Sequence, residues 1–102
     1  MFEQAVIAVQ NEEGFGRLHA LLDAAFDPRD VEVVLYRMAR NRLLIRDFER
    51  LLDRGLFGKE AAALYRSLPV SDQALTRERY LQLVEELPGE LRQRYFKLYA
   101  SY

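Results

Sequence analysis

The chain reads as an all-α domain, a compact antiparallel bundle of six to seven short helices. Three observations predict this. Apolar residues recur at three- and four-residue spacing along most of the length, as on helices that turn one face to a core. β-Branched clusters are confined to AVIAV (Ala5 to Val9) and VEVV (Val31 to Val34), and both also fit helical faces. Glycines and prolines stand where such helices would stop, with capping residues where they would begin. At 102 residues, half of them hydrophobic, the chain is long enough for one domain with its own core and too short for two.

The elements are taken in chain order. Phe2, Ala5, Val6 and Val9 mark a first helix, ended in NEEGFG by Gly14 and Gly16, each costing about 1 kcal/mol relative to alanine in a helix. This gives an extra N-terminal helix over 1–13 and a six-helix bundle over 16–102. Phe15, Leu18, Leu22 and Ala25 form the stripe of the next helix. In FDPRDV, Asp27 can cap, Pro28 suits the first helical position, Asp30 adds charge to the first turn, and Phe26 with Val31 can form a staple. The face then runs through Val31, Val34, Leu35 and Met38 to Ile45, Phe48 and Leu52, with a kink or break expected at Asn41 and Arg42.

Gly55 suits the left-handed residue that closes a helix, with Leu56 folding back on Leu51 in a Schellman ending. Ala61, Leu64, Tyr65 and Leu68 form the next face, which Pro69 stops. PVSDQA reads as a loop and Thr76 as the cap of the helix after it, with Leu75 and Tyr80 as its staple. Tyr80, Leu83, Val84 and Leu87 continue to LPG, and Leu91, Tyr95 and Leu98 dock a last helix, with Phe96 and Tyr99 beside them.

Composition excludes several functions. With no cysteine there is no disulfide framework and no zinc–thiolate site. No apolar run approaches the roughly 18 residues of a membrane span, and the N-terminus lacks secretory-signal features, so a soluble cytoplasmic protein is expected. A net charge of −1 brings no bulk attraction to nucleic acid or anionic lipid. Its distribution is uneven: residues 1–30 hold six acids and two bases, residues 31–60 five acids and seven bases.

Catalysis, cofactor binding, metal binding and a small-molecule substrate are not expected. His19 is the only histidine, off the core stripe and without a partner at metal spacing. GFG is too short to cradle a phosphate, and the adjacent Glu85 and Glu86 point to different sides of a helix. Ser67, Ser71 and Ser101 have no histidine partner in the pattern.

The feature that stands out is the series Arg37, Arg40, Arg42, Arg46, Arg50 and Arg54. Arg46, Arg50 and Arg54 fall at i, i+4 and i+8, which would stack three guanidinium groups along one edge of a helix. Asp47, Glu49 and Asp53 can neutralise them into an ordinary soluble face; otherwise they form an edge for carboxylates or phosphates. A helix-turn-helix over Arg42 to Leu68 would read nucleic acid with only Lys59 and Arg66 on its second helix, and the pI near 5.8 lacks a basic footprint. Tyr36, off the main stripe, and the terminal Tyr102 are candidate exposed anchors.

FERLLDRGLFGKEAAAL, SLPVSDQALTRERYLQLVEELPG and ELRQRYFKLYASY together resemble a caspase recruitment domain, a six-helix member of the death-fold superfamily. Leu51, Leu52, Leu56, Leu83, Val84, Leu87, Phe96 and Leu98 fall at matching apolar places, and LHALLDAAFDPRDVEVVLYRM is similar to the start of bacterial effector-associated domains. The short interval between Leu43 and Phe48 leaves two registers, one merging the first two family helices in 31–54 and one counting from Gly16; the second is preferred. The resemblance implies a non-catalytic adaptor or recruitment module. It would pair with a like domain through opposite charged patches, in bacterial immunity or cell-death signalling. The expected contacts are Arg40, Arg46, Arg50 and Arg54 on one side and Glu12, Glu13, Asp23 and Glu86 on the other. The remaining readings are the nucleic-acid regulator and an accessory subunit or chaperone of a larger assembly.

Overall fold

The computed structural model describes residues 2–100, with side chains from 12 to 98. Among them are six helices and no strand: α1 (Phe2–Ala25), α2 (Val31–Arg40), α3 (Phe48–Asp53), α4 (Lys59–Ser67), α5 (Val70–Glu85) and α6 (Gly89–Ala100). The apolar stripe expected on Phe2, Ala5, Val6 and Val9, and the assignments of Tyr99, Ser101 and Tyr102, lie outside the described side chains.

A 24-residue helix stands where two were expected, because α1 runs through both Gly14 and Gly16. Residues 2–13 are therefore continuous with the stretch that follows Gly16 rather than a separate helix. Packing outweighs the glycine penalty. Leu18 and Leu22 are fully buried, Phe15, Leu21 and Ala25 pack on the core, and Arg17 pairs with Glu60 of α4 at 2.9 Å. Helix propensity is a weak preference that such burial overrides.

The start of α2 also differs from expectation. Asp27 organises a turn before the helix, its Oδ1 accepting the Arg29 N–H at 2.9 Å and its carbonyl the Val31 N–H at 2.9 Å. The N-cap is Asp30, without a side-chain cap bond. The break expected at Asn41 and Arg42 is present: α2 stops there and residues 41–47 form a linker.

Thr76 is not a cap. PVSDQA is helical, α5 begins at Val70 behind Pro69, and Thr76 lies buried in mid-helix, its hydroxyl donating to the Asp72 carbonyl at 2.9 Å. Pro69 suits this boundary because its carbonyl accepts the N–H of Asp72 and Gln73. Leu75, expected as a staple, is about half exposed.

The buried apolar residues form one cluster. α1 packs against α4 and α5, and α2 against α6. Between them an aromatic group gathers on Tyr80, whose ring centre lies 4.6 Å from Phe48, 5.8 Å from Phe26 and 6.0 Å from Phe57. Tyr95 is also buried, but Phe96, expected among the docked aromatics, is 55% exposed. No described helix is long and apolar enough to cross a membrane.

Candidate functional site

The arginine series occupies the end of α2, the linker and α3. α2 closes with a Schellman turn in which Leu43 N–H donates to the Met38 carbonyl at 2.9 Å and Arg42 N–H to the Ala39 carbonyl at 3.0 Å. Arg42 has φ 54°, the only non-glycine described with positive φ. Two buried tyrosines hold the linker in place: the Tyr95 hydroxyl donates to the Leu43 carbonyl and the Tyr80 hydroxyl to the Ile45 carbonyl. A buried tyrosine needs such an acceptor, and linker carbonyls outside a helix need donors. Burial pushes the Tyr80 hydroxyl well above its ordinary pKa, so it stays a donor.

This arrangement corrects the expected guanidinium edge. Arg46 lies in the linker, α3 begins only at Phe48, and Arg54 is its C-cap. Arg46, Arg50 and Arg54 therefore do not stack along one helix, although all three are exposed, as is Arg40 in the last turn of α2.

The neighbouring acids are directed elsewhere. Glu49 Oε1 accepts the Tyr65 hydroxyl at 3.0 Å and lies 3.7 Å from Arg77, while Asp53 pairs with Arg66 of α4. Tyr65 in turn accepts from Arg77 Nη1 at 2.7 Å, and its hydroxyl is held above its ordinary pKa, by burial first. Asp47 instead turns to the series, 3.8 Å from Arg50. Among the described residues Arg46 and Arg54 form no ion pair.

The acidic candidates do not gather into one patch. Glu12 and Glu13 are exposed on α1. Asp23 is engaged by Arg79 through Nε at 3.1 Å and Nη2 at 2.9 Å. Glu86 is the C-cap of α5, exposed beside a surface hollow.

His19 is half-buried. Its Nε2 lies 3.1 Å from Thr76 Oγ1 and its ring centre 4.1 Å from that of Phe15. Thr76 already donates to Asp72, so it accepts here and Nε2 carries the hydrogen. Burial holds the imidazole below its ordinary pKa, against the opposing pull of Asp23. Among the described residues no three His, Asp or Glu side chains form a group able to hold a metal ion.

One surface feature was not foreseen. Val33 and Tyr36 of α2 border an apolar groove of about 320 Å³, completed by Leu35, Leu91, Tyr95 and Leu98, with Glu32 and Arg94 paired at 2.7 Å on its rim. Tyr36 is thus an exposed side chain, as expected, but in a groove rather than alone. A second hollow of about 300 Å³ shares Glu32 and Leu91 and extends past Pro28 and Pro88. The signal in the sequence was Val33 and Tyr36, apolar positions outside the α2 core stripe of Val31, Val34, Leu35 and Met38. Comparison with protein-family models, curated proteins and solved structures gives no match for the chain.

Proposed function

We propose that the chain is a non-catalytic protein–protein interaction module of death-fold type, acting as an adaptor in the cytoplasm. The observation that carries this reading is the diversion of Glu49 and Asp53 to α5 and α4, which leaves Arg46 and Arg54 exposed without ion partners among the described residues. Arginine so placed is suited to carboxylates on another protein. Arg40 and Arg50 extend the contact, and the acids on the facing partner correspond to Glu12 and Glu13 of a like domain. Asp23 is assigned a smaller part because Arg79 already occupies it. The setting that fits is recruitment in bacterial immunity or cell death, by analogy of fold alone.

The test is the triple substitution Arg46→Glu/Arg50→Glu/Arg54→Glu, with association followed by sedimentation velocity at low salt. Association with a like domain carried on a different chain is expected to be lost, while the helical circular dichroism is unchanged. Full association in that variant removes the arginine segment from the contact.

A second reading, an accessory subunit of a larger assembly, is favoured by the groove between α2 and α6. A nucleic-acid reader has less support. On α4, Glu60 is bound to Arg17 and Arg66 to Asp53, which leaves Lys59 as that helix's one cation without an ion pair among the described residues. Filter binding to DNA at low salt is expected to show none.

A further inference from the structure

The face formed by α2 and α6 is polarised in charge along its length. Its start is marked by the hollow where Pro28, Val31 and Glu32 meet Pro88 and Leu91. Acids collect there: Asp30 and Glu32 at the start of α2, Glu86 at the end of α5 and Glu90 at the start of α6. Glu32 and Glu90 both bind Arg94, at 2.7 and 3.0 Å, and Arg29 beside Asp30 is held by Asp27, so Asp30 and Glu86 are the acids of this end without an ion pair among the described residues. The other end carries Arg37 and Arg40 in the last turn of α2 and Lys97 in that of α6. Between the two ends lie Val33 and Tyr36, 49% and 46% exposed, over the groove with Leu91 and Leu98.

We infer that this face binds a second copy of the chain about a two-fold axis, with Asp30 and Glu86 of each copy meeting Arg37 and Arg40 of the other. A uniformly basic face would require an acidic partner. A face acidic at one end and basic at the other is complementary to itself once rotated, the condition for a closed isologous pair. The apolar centre supplies the contact that water disfavours, the charged ends set the register, and a net charge of −1 opposes pairing very little. The inference rests on the reading of the chain as an assembly module, and it names the partner and a face separate from Arg46 and Arg54.

The experiment is sedimentation equilibrium of the intact chain across concentration and salt. A dimer is expected that goes no further than two copies and weakens as salt rises. Val33→Glu/Tyr36→Glu should weaken it about tenfold or more, as should Arg37→Glu/Arg40→Glu or Asp30→Lys/Glu86→Lys alone. Combining the two charge reversals in one chain should restore the dimer, because the polarity is inverted at both ends; loss of fold cannot be rescued in that way. Arg46→Glu/Arg54→Glu should leave the dimer intact. A monomer at every concentration, failure of the combined variant to recover, or a dimer insensitive to Val33→Glu/Tyr36→Glu overturns the inference. Loss of association only in Arg46→Glu/Arg54→Glu overturns it too, and leaves the arginine-segment reading standing.

Discussion

Two helix endings in this molecule use the same hydrogen bonds and different residues. After α3, Gly55 takes φ 71°, with its N–H donating to the Leu52 carbonyl at 2.9 Å and the Leu56 N–H to the Leu51 carbonyl at 3.2 Å. After α2, Arg42 takes φ 54° in the equivalent place, with Leu43 returning to Met38. A left-handed conformation costs an L-residue roughly 1–2 kcal/mol and glycine almost nothing. The first ending is therefore encoded locally. The second is imposed from elsewhere: Leu43 is buried, Tyr95 holds its carbonyl and Tyr80 holds that of Ile45. Strain is tolerated where surrounding contacts over-determine the backbone.

That contrast can be broken most severely at the buried anchors. Leu43→Ala should cost about 2–5 kcal/mol in urea unfolding, and Leu56→Ala, at a half-buried site, clearly less. Equal losses would mean that the two endings are held alike. Next comes the tyrosine clamp. Tyr95→Phe leaves the Leu43 carbonyl without its donor and should cost about 1–3 kcal/mol, with faster amide exchange confined to the linker. An unchanged midpoint would show that water replaces the hydroxyl.

Exchanging the special residues sharpens the comparison further. Gly55→Ala has open space around the new methyl but the wrong φ, so a loss of about 1–2 kcal/mol is expected. Arg42→Gly relieves the same strain and should gain up to about 1 kcal/mol, less the added freedom of the unfolded chain. A destabilised Arg42→Gly would place the value of Arg42 in its side chain.

The smallest effect is the pH response of His19. Its pKa is below 6.5 in the fold, so the unfolded chain binds more protons in the window between the two values. Stability is then full above about 6.5 and declines as pH falls through that window. Denaturation at pH 8 and pH 5 should show a smaller decline in His19→Gln than in the native chain.

The helix class, the break at Asn41, the Gly55 turn and most of the core were legible because local chemistry and final structure agree there. Three features were not. Continuity of α1 through Gly14 and Gly16 depends on burial against α4 and α5, which no local preference encodes. Thr76 resembles a cap in isolation, yet its hydroxyl is satisfied by Asp72 and His19. The arginine edge failed because i, i+4, i+8 spacing stacks side chains only on an unbroken helix, and the linker reaches to Asp47. The groove escaped notice because its walls come from α2 and α6, distant in sequence.

The hydroxyl of Tyr95 reaches back across 52 residues to the Leu43 carbonyl. The linker that carries Arg42 and Arg46 is therefore tied to the last helix as well as to its own neighbours. The shape of a loop near the middle of the chain is in this way underwritten by a helix close to its far end.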